Sequence, residues 1–246
     1  MKIAVFRPDD ERLEDAVSLL ESLDADPVPD PMLAVHPAGK KPQLADFVVL
    51  TSKTGVELAY EAGWNPGDAT VCAIGEGTAA SLREHDYEVD VVPDKFSSRG
   101  LVAVLADRVD GKRVEVARSN HGSDVLLDGL EDAGAEVHET VLYELVRPKG
   151  SGESTELAAE GDLDAALFTS SLTVEHFLEA AEERGIRDET LNNLEDVTVG
   201  AIGGPTHDTA RDHGIRVDVV PQTASFDRLA REAVEQITET TDRAEI

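Results

Sequence analysis

Four short segments place hydroxyls and glycines where β-to-α turns are expected: Thr51-Ser52-Lys53, Gly75-Glu76-Gly77-Thr78, Thr169-Ser170-Ser171 and Gly203-Gly204-Pro205-Thr206. In open α/β sheets a ligand lies beyond the carboxyl ends of the strands, where helix N-termini point unpaired N–H groups at it. Glycine lets backbone approach a ligand closely, and a Ser or Thr hydroxyl either binds an anion or caps the helix. Arg7 and Arg118, at matched strand ends, suit bidentate carboxylate binding or local salt bridges. Tyr143 is one of three tyrosines and reads as a packing residue between lobes or a polar group at a site.

The elements that must position these residues occur twice. Val89-Asp-Val-Val-Pro93 returns as Val217-Asp-Val-Val-Pro221, at an offset of 128. Gly75 and Thr78 match Gly203 and Thr206 at that same offset of 128. Phe47–Ser52 answers Ala165–Ser170 at an offset of 118, and Lys2–Arg7 answers Arg113–Arg118 at 111. Strands are expected at 2–7, 46–52, 70–75, 88–93, 113–119, 136–146, 164–170, 197–203 and 216–221. Helices are expected at about 10–22, 54–62, 77–86, 99–108, 122–133, 172–184, 205–213 and 225–239. This alternation predicts an α/β protein: two doubly wound, parallel-sheet lobes from an internal duplication, with a ligand in the cleft. Asp24–Gln43, with five of the eleven prolines, and Pro148–Glu153 break the rhythm and read as two extended linker crossings. The tail from Thr238 to Ile246 is polar and expected to fray.

Composition narrows the function classes. Asp and Glu number 51 against 22 Lys and Arg, a net charge of −29. Self-repulsion of that size disfavours a compact state at low salt, whereas at about 1 M salt the Debye length falls to about 3 Å. The surface therefore reads as adapted to a halophile-type cytoplasm, and a nucleic-acid partner is not expected. Cys72 is the only cysteine and sits in an apolar run, so it reads as core. The seven histidines include no helical i, i+4 pair, and no metal site is expected. No apolar stretch approaches the roughly 20 residues of a membrane span, and the N-terminal run is too short for a signal peptide, which points to a cytoplasmic protein. Gly75-x-Gly77-x-x-Ala80 mimics a dinucleotide fingerprint, but its internal copy replaces Gly77 with Pro205 and Ala80 with Asp208.

One ordered set of motifs resembles the uroporphyrinogen-III synthase family across nearly the whole chain. It comprises Thr51-Ser52, Ala73-Ile-Gly-Glu-Gly-Thr-Ala79, Val91-Val-Pro93 with Ser97 and Leu101, and Gly134-Ala-Glu-Val…Val141-Leu-Tyr-Glu144. Leu167-Phe-Thr-Ser-Ser171, Ala201-Ile-Gly-Gly-Pro-Thr206 and Val220-Pro221…Ala224-Ser-Phe-Asp227 complete it. The resemblance implies lobes of 1–28 with 150–246 and of 37–142, with linkers at about 29–36 and 143–149. It implies cyclisation of hydroxymethylbilane to uroporphyrinogen III with inversion of the D ring and loss of water. It also implies that neither metal nor organic cofactor takes part, that the protein is a monomer, and that the product feeds haem, sirohaem or cobalamin. Carried over by position, Tyr143 is a proton donor to the departing hydroxide. Thr78, Thr206, Ser52 and Ser170 face the substrate, and Lys53, Ser97, Ser171 and Ser225 are further contacts. Gly204-Pro205 departs from the family pattern, as does an inserted loop between Glu182 and Leu194. The rival reading is a non-catalytic ligand-sensing or regulatory module on the same bilobed fold.

Overall fold

Apolar four- to seven-residue runs bounded by glycine, serine and aspartate set the strands, and amphipathic segments between them set the helices. In this computed structural model, which describes residues 1–244, the elements run in chain order as follows. β1 (Lys2–Phe6), α1 (Glu11–Ser22), β2 (Asp26–Pro29) and β3 (Ala34–Pro37) open the chain. β4 (Phe47–Leu50), α2 (Lys53–Glu61), β5 (Thr70–Ala73), α3 (Glu76–Glu84) and α4 (Ser98–Leu105) follow. Then come β6 (Arg113–Ser119), α5 (Val125–Asp132), β7 (Glu136–Val146), α6 (Glu153–Glu160) and β8 (Ala165–Phe168). α7 (Ser171–Glu183), α8 (Arg187–Asn193), β9 (Thr198–Ala201), α9 (Gly204–Asp212) and α10 (Phe226–Ala244) close it. Two units result, Met1–Ala34 with Val146 onward, and Val35–Leu145.

The first unit holds a four-stranded sheet of order β2-β1-β8-β9, every pair parallel. One face packs Ile3, Val5, Leu167 and Leu229; the other packs Phe6, Phe168 and Phe177, with the Phe6 and Phe168 rings stacked at 4.6 Å. The second unit holds a five-stranded sheet of order β3-β7-β6-β4-β5, parallel through β7, β6, β4 and β5. Its faces are built on Val48, Leu50 and Ala117, and on Val49, Val114 and Val116. Alternate residues of one strand thus serve opposite cores, as expected for a parallel sheet covered on both sides.

Several expectations need correction. The proline-rich Asp24–Gln43 is not all linker, because β2 and β3 lie inside it. Pro27, Pro29 and Pro31 alternate along the edge of the sheet. Asp26 N, before Pro27, and Asp30 N, between Pro29 and Pro31, donate to Met1 O and Val5 O at 2.8 and 3.1 Å. The missing proline N–H groups thus fall on the side that needs no partner. Strands expected at 88–93 and 216–221 shrink to single bridges, Cys72 to Val91 and Gly200 to Val219. In each, an aspartate occupies the next donor: Asp90 Oδ2 accepts from Val71 N at 2.8 Å and Asp218 Oδ2 from Val199 N at 2.9 Å. Pro93 and Pro221, lacking N–H, cannot extend the ladder. β7 continues to Val146, through part of the linker expected at 143–149. The loop around Pro148–Glu153 ends in α6, whose N-terminus is held by buried Asp30 accepting from Gly152 N (2.8 Å) and Ser154 N (3.0 Å). The insertion between Glu182 and Leu194 contains α8, and α6 and α8 pack on each other. Gly204 and Pro205 form the first turn of α9, where proline is tolerated because that N–H has no helical partner. α10 does not break at Thr238 but runs to Ala244; the rest of the expected tail, 245–246, lies outside the described residues.

Candidate functional site

In the second unit the ends of β4, β5 and β7 meet the N-termini of α2 and α3. Ser52 is extended (φ −156°) and caps α2, its Oγ accepting from Gly55 N at 2.9 Å. Tyr143 Oη donates to that same Oγ at 2.9 Å. Gly55 makes the contact possible: a Cβ there would lie 3.0 Å from Ser52 Oγ and 4.0 Å from Tyr143 Cε1. The tyrosine owes its direction to a β-bulge. Along β6 and β7, Arg118 pairs with Val141 but Ser119 pairs with Tyr143, so β7 has an extra residue at that step. Successive side chains of a regular strand point to opposite faces; across the bulge Leu142 and Tyr143 both enter the same core. Tyr143 is 6% exposed, and its hydroxyl is bonded to half-buried Ser52.

The two pairs of turns differ in one respect that capping explains. α2, α4 and α7 have serine caps: Ser52, Ser97 (Oγ to Gly100 N, 3.1 Å) and Ser170, which forms a capping box with Thr173. α3 and α9 begin at Gly75 and Gly203, both extended and without a side-chain cap. Their first-turn N–H groups therefore keep the capacity to bind an anion. One turn in, Thr78 and Thr206 are buried, and among the described residues neither hydroxyl makes a hydrogen bond. The buried side-chain atoms without a partner among the described residues are Glu115 Oε1 and Arg147 Nε, so both threonine hydroxyls reach the surface and are open to a ligand.

The remaining candidates divide. Thr51 is half-buried at the end of β4. Its counterpart Thr169 donates to Phe6 O at 2.6 Å. Ser171 Oγ donates to Pro205 O (3.1 Å) and accepts from Thr209 Oγ1 (2.8 Å), tying α7 to α9. Lys53 is exposed at the start of α2, its stem lying over Gly77. Ser225 immediately precedes α10, with its carbonyl accepting from Leu229 N at 3.1 Å. Arg7 stacks on Phe226, 5.0 Å from the ring centroid, and burial, followed by repulsion from Arg12, lowers its pKa. Arg118 is spent internally: it binds Glu139 Oε1 (2.5 Å) and Ser123 O (2.6 Å) and faces Asp124 (3.6 Å). Of its two roles the salt bridge is the one built. Cys72 is buried, and desolvation pushes its thiol up to about 12. The Phe96 ring lies on Gly75 and went unread in the sequence, although its replacement by Ala224 in the repeat was a usable signal.

Hollows of about 570 Å³ beside Glu175, Glu179 and Glu182 and of about 530 Å³ beside Glu156 and Arg184 include none of these residues. Among the described residues no three His, Cys, Asp or Glu converge as a metal cage, and no helix is long and apolar enough to cross a membrane.

Fold and site together define an α/β protein with two parallel or mixed sheets, whose strand ends offer hydroxyls and open helix N-termini. Residues 14–231 match the family model described as uroporphyrinogen-III synthase HemD, and the chain belongs to that family. A putative uroporphyrinogen-III synthase of Methanothermobacter thermautotrophicus is 32% identical over 249 residues, covering 94% of this chain and 97% of the relative. A putative uroporphyrinogen-III synthase of Archaeoglobus fulgidus is 31% identical over 184 residues, 74% of this chain and 76% of that one. Among solved structures, a mutant uroporphyrinogen III synthase from Thermus thermophilus superposes with a TM-score of 0.69 at 19% identity, over 98% of this chain and 99% of its own. The Helicobacter pylori uroporphyrinogen-III synthetase gives 0.60 at 16% identity, over 98% of each chain. At those identities the structures speak for the fold alone.

Proposed function

We propose that this protein is a uroporphyrinogen-III synthase that converts hydroxymethylbilane to uroporphyrinogen III. A pyrrole nitrogen lone pair expels the terminal hydroxyl, which leaves as water after taking a proton. The resulting azafulvene carbon is attacked by the substituted carbon of the D ring, and the spiro intermediate rearranges to the inverted macrocycle. Free substrate closes spontaneously without inversion, so the protein's task is to favour one transition state by positioning. The observation that carries the reading, beyond family membership, is the Tyr143–Ser52–Gly55 hydrogen-bond chain. Ser52 Oγ accepts two bonds in it, which leaves its own proton free to reach the departing hydroxyl. Tyr143 then resupplies that proton, so a buried tyrosine acts without touching the substrate. The N-terminus of α3 with Thr78 is read as a carboxylate site in the second unit, and that of α9 with Thr206 as one in the first. Short hydrogen bonds of this kind persist in salt that screens the chain's net charge of −29.

The two lobes, 1–28 with 150–246 and 37–142, are read as copies of one ancestral unit. Matched hydrogen bonds support this. Asp46 Oδ2 accepts from Arg113 N at 2.9 Å, and its counterpart Asp164 Oδ2 accepts from Lys2 N at 2.6 Å. Asp46 O and Asp164 O accept from Thr70 N and Thr198 N at 2.9 and 3.0 Å. Strand order β7-β6-β4-β5 also repeats β2-β1-β8-β9 when strands are equated by their internal matches. The protein is further read as a cytoplasmic monomer adapted to high salt.

The test supplies hydroxymethylbilane, generated in situ, to the protein in molar potassium chloride and separates the oxidised uroporphyrin isomers. Isomer III above a protein-free control is expected. Isomer I alone, from protein shown to be folded in that salt, overturns the proposal and favours a non-catalytic binding module.

A further inference from the structure

We infer that Phe96 and Lys53 form a contact for one carboxylate-bearing pyrrole ring of the substrate, the ring face on Phe96 and the carboxylate on Lys53. The inference rests on the proposed function and adds Phe96 to the binding residues. Phe96 is 64% exposed, in the loop that leads into α4. A single exposed apolar side chain needs no explanation, but this one is seated. A Cβ on Gly75 would lie 3.1 Å from both Cβ and Cγ of Phe96, so the ring rests against the glycine that opens α3. Two residues on, a Cβ at Gly77 would lie 3.2 Å from Lys53 Cε. The Gly75-Glu76-Gly77 turn is thus a floor with an aromatic ring over one glycine and a lysine stem over the other.

The fold does not require either side chain. At the matched position in the first unit Phe96 is Ala224, although Ser97, Leu101 and the preceding Val-Val-Pro are all repeated there. Leu101 and Leu229 are both fully buried, so the packing of this segment is served without a phenylalanine. Lys53 becomes Ser171, whose hydroxyl is occupied by Pro205 O and Thr209 Oγ1. Gly203, the counterpart of Gly75, has nothing within 4 Å of an added Cβ. One unit therefore presents a ring and a cation where its copy presents a methyl group and an engaged hydroxyl. Lys53 forms no ion pair among the described residues. A flat, electron-rich heterocycle bearing acetate and propionate matches this pairing: its face gains aromatic contact and its side chain an ammonium. The same α2 segment carries Ser52, so a ring held here lies beside the hydroxyl that receives the Tyr143 proton.

The test measures steady-state isomer III formation by the wild type, Phe96→Ala, Phe96→Tyr, Lys53→Ala and the double alanine variant, with thermal midpoints for each. An aromatic contact of about 0.5–1.5 kcal/mol predicts a KM for hydroxymethylbilane raised about 3–10-fold in Phe96→Ala, with kcat little changed. Phe96→Tyr should keep the wild-type KM. The double variant should lose less than the product of the single losses, because both side chains hold one ring. Thermal midpoints should stay within about 2 °C of wild type, because the ring is exposed. An unchanged KM in Phe96→Ala overturns the inference while leaving the function intact. So does a lowered midpoint with kcat lost in parallel and not restored by tyrosine, which assigns the ring to structure. Wild-type protein that yields isomer I alone overturns both.

Discussion

Replacing Tyr143 with Phe removes one oxygen and leaves the ring in place, which separates the chemistry of the hydroxyl from its packing. The ring sits among Leu142, Val56 and Leu50 in the second unit's core, and phenylalanine preserves those contacts. What disappears is the 2.9 Å bond to Ser52 Oγ. Ser52 keeps its bond to Gly55 N and is half-buried, so water can take the vacated lone pair. A neutral hydrogen bond of this kind contributes about 0.5–1.5 kcal/mol, and the partial exposure of Ser52 puts the loss at the lower end. For a chain of this length that is a fall of about 1–2 °C in the thermal midpoint. Turnover is affected on another scale. Loss of a general acid typically costs about 10²–10⁴-fold, and 100-fold corresponds to about 2.7 kcal/mol of barrier. The expected variant is therefore folded, nearly as stable as wild type and at least about 100-fold slower in kcat. Its product should shift toward isomer I, since uncatalysed closure competes with the slowed step. The assay pairs isomer chromatography with thermal unfolding in molar potassium chloride. A kcat within a few-fold of wild type refutes the proton-donor reasoning. A midpoint lowered by about 8 °C or more refutes the partition between chemistry and packing.

Thr206→Val removes, at nearly constant volume, a hydroxyl that makes no hydrogen bond among the described residues, from a residue otherwise buried. Stability should hold or rise while kcat/KM falls about 10–100-fold, the scale of a hydrogen bond to a charged group; an unaffected kcat/KM would release Thr206 from the site. Cys72, buried and with its thiol pushed up to about 12, should resist a thiol reagent at pH 8 in the native protein. It should label once per chain in denaturant, and fast native labelling would contradict the burial. With a net charge of −29, the thermal midpoint should climb by about 10 °C or more between 0.1 and 1 M potassium chloride. A flat salt response would mean that the acidic surface is not salt-adapted.

The α/β character and most strand and helix positions were legible in the chain because apolar runs and amphipathic segments differ in period. Where the reading failed, a nonlocal partner had intervened. Nothing in Asp24–Gln43 says that its prolines fall on the free side of an edge strand; only pairing with β1 determines that. α8 is too short and polar to announce itself, and it forms against α6. The site shows the same division. Residue types at the strand ends and their repetition at constant offsets named Ser52, Thr78 and Thr206 as candidates, and the family resemblance added Tyr143. Local sequence left open whether each serine capped a helix or met a ligand, and whether Arg118 was free. Glu139 and Ser123, arriving from other segments, occupy that arginine. Most of all, strand alternation assigns Leu142 and Tyr143 to opposite faces. The bulge against β6 puts both on one face and brings the hydroxyl to Ser52, 91 residues away in sequence. By itself the sequence determined which chemical groups exist and which short stretches are strand or helix, because those depend on neighbours along the chain. Direction and engagement were decided by the tertiary structure, because a register shift or a distant partner leaves no mark on local periodicity.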